Sequence, residues 1–145
     1  REAIYGRNAP MKKTYQVIKD NYQDAGTASS DIKRTLKALG IDRKVLKAVA
    51  IACYEAEINI AIHSDGGTVT FEIDDEGIIH LSFDDIGPGI EDIELALTPG
   101  YSTASPKARE LGFGAGMGLY NMQSVASTFE ITSSKEGTHI KMTFK

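Results

Sequence analysis

The sequence predicts an α+β fold, with helices on one face of a mixed, mostly antiparallel sheet. Three observations lead there. Two stretches between residues 30 and 63 carry apolar side chains at helical spacing. Two later pairs of runs alternate apolar and polar residues, each pair joined by a short turn. The element order β-α-α-β-β-α-loop-α-β-β places hairpins beside helices and does not interleave strand and helix one by one. The second sheet face is then half-solvated or covered by a partner.

The elements follow in order. Tyr15 and Val17 alternate with Gln16 and Ile18 in a short strand. Asp24 to Ser30 is rich in turn formers, and Ser30 or Asp31 is placed to cap a helix carrying Ile32, Leu36 and Leu39 on one face. Gly40 stops it. Asp42 caps a longer helix to about His63, with Val45, Val49, Ala52, Ala56 and Ile60 as its core stripe. Asp65-Gly66-Gly67 ends that helix. Thr68 to Ile73 and Ile78 to Phe83 form a hairpin around the turn sequence Asp74-Asp75-Glu76-Gly77. A short helix is expected over Glu91 to Leu97, and a long loop over Thr98 to Phe113. The next helix starts within Gly112 to Gly118 and carries Leu119, Met122 and Val125. Phe129 to Ser133 and Thr138 to Phe144 close the chain as a second hairpin.

Composition narrows the class of function. At 145 residues, 41% hydrophobic and 25% charged, one domain with its own core is expected. Residues 1–10 lack hydrophobic periodicity and read as an expression-tag remnant, with Met11 as the native start of a single domain over 11–145. The net charge of −4 disfavours nucleic-acid binding through bulk positive charge. The longest apolar run, Ala48 to Tyr54, is too short to span a bilayer, and no leader opens the chain. The one cysteine, Cys53, rules out an intramolecular disulfide, so a cytoplasmic protein is expected.

Three clusters carry candidate chemistry. Glu55 and Asn59 lie one helical turn apart on the same face, within an otherwise apolar stretch. They suit a general base beside an amide oxygen for a phosphate-bound metal; taken alone, the cluster fits an exposed polar strip better, to which Glu57 and His63 add. Asp85-Ile86-Gly87-Pro88-Gly89-Ile90 follows a strand directly. Its glycines allow close approach to a ligand, and its carboxylate can accept from an exocyclic amine such as that of adenine; a plain turn remains the alternative. Gly112-Phe113-Gly114-Ala115-Gly116-Met117-Gly118-Leu119 opens a helix with successive backbone N–H groups suited to phosphate. No Gly-Lys-Ser/Thr follows it, so it is not a Walker loop.

In this order and spacing the three clusters match the N, G1 and G2 boxes of the GHKL ATP-binding domain. The chain from Met11 to Lys145 thus resembles the domain shared by DNA gyrase, the Hsp90 chaperone, histidine kinases and MutL, the Bergerat fold. That resemblance implies a two-layer α/β sandwich and two cofactors, ATP and Mg²⁺. At this length the further domains of gyrase-, chaperone- or repair-type members are not expected, nor is a dimerisation helix pair with a phosphoacceptor histidine. What remains is similar to the small anti-sigma-factor and switch serine/threonine kinases of bacterial partner-switching systems. Asp85-x-Gly-Pro-Gly-Ile, then Gly100-Tyr101-Ser102-Thr103, then the glycine run are closest to the stressosome switch kinase.

The resemblance implies roles residue by residue. Glu55 would be the general base, and Asn59 would hold Mg²⁺ against the triphosphate. Asp85 would bind the adenine amine, with Gly89 letting the base approach and Gly87 and Ile90 also in the ATP site. Ser102 and Thr103 would belong to a lid, while Gly114, Gly116 and Gly118 would wrap the phosphates, with Ala115, Met117 and Leu119 also in the ATP site. Thr138 would lie near adenine. The acceptor would be a Ser or Thr hydroxyl on a STAS-domain partner, with a sigma factor, phosphatase or other effector downstream and a homodimer compatible with the sequence. Anti-sigma kinases usually carry an arginine where this chain has Gly114; Lys107 or Arg109 would either substitute for it or be ordinary solvated loop residues. That departure favours an alternative, a nucleotide-gated protein-binding module with little phosphoryl transfer. Lys33, Arg34, Lys37, Arg43, Lys44 and Lys47 form a basic cluster, either plain helix surface or a docking face for an acidic partner.

Overall fold

Asp42 starts the longest helix by accepting hydrogen bonds from the N–H groups of Lys44 and Val45, at 3.1 and 3.4 Å. Helix α2 (Arg43–His63) then buries Val49, Ala52, Cys53, Ala56 and Ile60, with Val45 packed at the margin of the core. The computed structural model describes residues 10–99 and 118–145. Around α2 stand β1 (Met11–Val17), α1 (Thr27–Ala38), β2 (Gly67–Ile73) and β3 (Ile79–Asp85). The short α3 (Ile93–Ala96), then α4 (Gly118–Val125), β4 (Thr128–Ser134) and β5 (Gly137–Phe144) complete the described elements.

The five strands form one sheet in the order β1-β2-β3-β5-β4. Every pairing is antiparallel, from Met11↔Ile73 at one edge to Ser134↔Gly137 at the other. The expected mixed sheet is therefore, among the described residues, purely antiparallel. Inward rows such as Val69-Phe71-Ile73, Ile79-Leu81-Phe83 and Ile140-Met142-Phe144 meet Ile32, Leu36, α2, Leu119 and Met122 in one core. The opposite rows carry Lys12, Thr14, Gln16, Thr70, Ser82, Lys141 and Glu130, the polar face of a one-sided sheet.

Two local expectations are corrected. Strand β1 begins at Met11, because inward Met11, Lys13, Tyr15 and Val17 alternate with exposed Lys12, Thr14 and Gln16. Ile18 lies beyond it and is exposed. Lysine in an inward position hid that alternation; its ammonium reaches Asp31 Oδ2 at 3.3 Å and Thr35 Oγ1 at 3.1 Å.

The second correction concerns the start of α1. It begins at Thr27, after Gly26 in the left-handed region (φ 101°), and neither Ser30 nor Asp31 caps it. The cap comes from another helix. Glu57, expected to be surface charge, is 3% exposed. Its carboxylate accepts from the N–H groups of Gly26 and Ala28, both at 3.1 Å, and of Ser29 at 2.7 Å. Those donors are the ones a helix start leaves open, so a buried charge is satisfied and α1 is tied to α2.

Asp31 instead faces β1. Tyr15 Oη donates to it at 2.6 Å and Arg34 Nη2 at 2.6 Å, with Lys13 beside them. The Tyr15 hydroxyl, then Arg34 and Lys13, hold its carboxyl down at about 2. Burial and the same carboxylate push the Tyr15 phenol upward.

Glu57→Ala is expected to cost on the order of 3 kcal/mol, read as a lower urea midpoint, because three charge-assisted bonds vanish and their donors stay buried. Asp31 has its own pH signature. A depressed carboxylate contributes stability above its unfolded value of 3.8 that is lost as pH falls towards about 2. Tyr15→Phe should therefore flatten the loss of stability between those limits, as followed by acid titration of the urea midpoint.

Candidate functional site

On the flank of α2 away from Glu57, Glu55 and Asn59 are half-buried and face α4. Glu55 and Glu57 project roughly 160° apart around the helix, so one element serves two polar environments. Asn121 Nδ2 donates to Glu55 Oε2 at 2.7 Å. A turn away, the α-carbon of Gly118 lies against the Asn59 amide. A β-carbon there would sit 3.0 Å from Oδ1 and 3.1 Å from Nδ2. The last residue of the glycine run and both α2 residues therefore belong to one cluster.

The segment after β3 packs at the C-terminal end of the same helix. The Asp65 N–H donates to the Ile86 carbonyl at 2.6 Å, and the buried Gly87 lies against Ser64. By helical rise, Asn59 is about 7.5 Å further up the axis from Ser64. Asp85 Oδ1 accepts the Thr138 N–H at 2.7 Å, and among the described residues Oδ2 accepts nothing. Burial pushes the Asp85 carboxyl up; the Thr138 N–H and His139 oppose this in part.

The remaining polar groups tie this segment to the last hairpin. Ile90 N–H donates to Ser133 Oγ at 2.7 Å, and Ser133 Oγ shares a hydrogen bond of 2.8 Å with Thr138 Oγ1. Gly89 (φ 79°) runs against the Ser134 backbone, and Gly137 (φ 152°) against the Asp85 carbonyl. A side chain at either position would meet strain and collision together.

The structure thus brings Asp85, Gly87, Gly89, Ile90 and Thr138 together, and separately Glu55, Asn59 and Gly118. Leu119, expected among ligand contacts, is 7% exposed, and its side chain packs in the core. Ser102, Thr103, Gly114, Ala115, Gly116 and Met117 lie outside the described residues, as do Lys107 and Arg109. Two site residues escaped the sequence reading. Asn121 is three residues after Gly118, a spacing that puts it on the same face, and that was the available signal. Ser133 carried none, since its role depends on strand register against Thr138.

The match to the histidine kinase-like ATPase domain covers residues 18–144. The chain belongs to the histidine kinase-like ATPase family. ATP binding is the activity that this family implies. Among solved structures, the crystal structure of the RsbU and RsbW domains of Rv1364c from Mycobacterium tuberculosis is similar, with a TM-score of 0.60 and 17% identity. The alignment covers 93% of this chain and 32% of that one, and at this identity the likeness is one of fold. A search of the curated proteins finds no match. Among the described residues, no helix of this ATPase domain is long and apolar enough to cross a membrane.

Ser133→Ala should uncouple the Ile90 amide from Thr138 at a cost of about 1 kcal/mol. Hydrogen exchange at Ile90 should quicken while core amides such as Phe71 keep their protection.

Proposed function

We propose that this ATPase domain is a Mg-ATP-dependent protein serine/threonine kinase of a bacterial partner-switching system. One observation carries the reading. The Asn59 amide lies against Gly118, so the end of the glycine run meets a helix that presents the Glu55 carboxylate one turn away. That arrangement sets a carboxylate beside the place where phosphate would sit at the start of α4.

Asp85 would take the adenine amine on Oδ2, the oxygen that Thr138 leaves open. Gly87, Gly89 and Ile90 would form the wall beside the base, with Gly114, Ala115, Gly116, Met117 and Gly118 along the phosphates and Ser102 and Thr103 in a lid. Among the described residues no group of three or more His, Cys, Asp or Glu converges on a metal site. Mg²⁺ takes most of its ligands from phosphate and water, and the Asn59 oxygen would be its ligand from the described residues. Bound there, Mg²⁺ would neutralise triphosphate charge.

In transfer, the acceptor Ser or Thr oxygen forms a bond to the γ-phosphorus and its proton passes to Glu55. The bond to the β,γ-bridging oxygen breaks, and its electron pair leaves on ADP. The chain's own contribution is positioning and a base of fixed orientation. The acceptor is proposed to sit on a STAS-type partner. Lys33, Arg34, Lys37, Arg43, Lys44 and Lys47 are all exposed on α1 and the start of α2, a face that an acidic partner would complement. A second reading rests on Gly114, where anti-sigma kinases carry arginine: a nucleotide-gated binding module with little transfer.

Saturating Mg-ATP at about 100 times its Kd should stabilise the protein by roughly 2.7 kcal/mol, and Asp85→Asn should remove most of that shift. With γ-labelled Mg-ATP and extract of the native cell, label should appear on a small captured protein and disappear with Glu55→Ala. ATP-dependent capture without label would favour the binding module, and an unshifted melting curve would remove the nucleotide site.

A further inference from the structure

We propose that Asn121 is a positioning residue that fixes which oxygen of Glu55 takes the proton, an inference resting on the general-base reading of Glu55. An ionised carboxylate can only accept, so the side-chain amide must present Nδ2 to Oε2, as the 2.7 Å contact has it. Among the described residues Oε1 accepts nothing, which leaves one oxygen held and one open. The choice of an amide has chemical content. A lysine or arginine there would hold the carboxylate equally well but would draw down its basicity, whereas neutral Asn121 orients it and carries no charge of its own. Nor is an amide acidic enough to give its proton to the carboxylate.

Helix α4 is built to deliver this contact. Gly118 and Asn121, three residues apart, share the face that meets Asn59 and Glu55, four residues apart on α2. Met122 next to Asn121 is fully buried and Leu119 nearly so, which fixes the rotation of α4. The amide therefore reaches Glu55 from a packed helix and not from a loop.

Mg-ATP with water as acceptor provides the test. The water oxygen bonds to the γ-phosphorus, the bond to the β,γ-bridging oxygen breaks with its electron pair on ADP, and a water proton goes to Glu55 Oε1. Asn121→Leu keeps the branched outline and removes the donor; Asn121→Asp keeps the shape and replaces donor with acceptor. Both should lower kcat about 100-fold, the scale of a misplaced catalytic group, with KM for Mg-ATP within about twofold. Asn121→Gln should recover part of the rate, and the Asn121 side-chain amide resonances should move in Glu55→Ala. A merely structural asparagine would tolerate leucine best and leave kcat alone. Wild-type kcat in Asn121→Leu and Asn121→Asp, in a protein that Glu55→Gln inactivates, would overturn the positioning role and leave the base reading standing. Full hydrolysis by Glu55→Gln, or a wild-type protein that binds Mg-ATP and passes its γ-phosphate neither to water nor to a captured partner, would remove the base reading and this inference with it.

Discussion

The carboxylate of Glu57, buried between two helices, is the interaction on which the helical layer depends. An ionised group in that place is tolerable only if its lone pairs are filled, and the open N–H groups of Gly26, Ala28 and Ser29 fill them. The reverse is also true. Helix α1 begins at a glycine with no side-chain cap of its own, so its first turn is completed only when it lies on α2. Docking and capping are the same event, and neither helix can shift along the other without exposing unpaired groups on both. The rotation of α2 is thereby set on one side, which decides where Glu55 and Asn59 face on the other.

A second constraint acts at the strand ends. Backbone from the segment after β3 and from the last hairpin approach so closely that Gly89 meets the Ser134 backbone and Gly137 meets the Asp85 carbonyl. Such approach leaves no room for side chains and pairs polar groups across the gap: Asp85 with Thr138, Ile90 with Ser133, Ser133 with Thr138. A candidate recognition carboxylate therefore stands on rigid sheet, with strand register fixing its partner. The exposed sheet face, with its threonines, lysines and glutamates, takes no part in this and is free to remain solvated.

Much of this was legible in the sequence because it is local. Helix α2, its Asp42 cap and its core stripe follow from spacing alone, and so do both hairpins. The family resemblance puts Asp85 and Thr138 beside the same adenine, and the two are joined by a hydrogen bond. What stayed hidden is what depends on contacts distant in sequence. Glu57 looks like any helix-surface glutamate, because the groups that satisfy it are about thirty residues away. Lys13 disguised an inward strand row, since only Asp31 and Thr35 across the fold make a lysine acceptable there. Leu119 stands beside the glycine run, but helix rotation turns it into the core.

The two candidate site carboxylates show how one fold can hold the same functional group for opposite tasks. Asp85 is partly desolvated, pinned through one oxygen by a backbone N–H, and its proton affinity is raised by burial. A donor arriving at its free oxygen favours the charged form, so a ligand amine would be bound partly by relieving that cost. Glu55 is pinned instead by a side-chain amide on a neighbouring helix, half in contact with solvent. Recognition gains from a fixed backbone partner, because the ligand must find the carboxylate in one place. Proton transfer gains from a neutral side-chain donor, which sets orientation and stabilises the carboxylate charge less than a cation would. On that physical ground, the proposed function gives adenine recognition to Asp85 on the sheet and base chemistry to Glu55 on the helix.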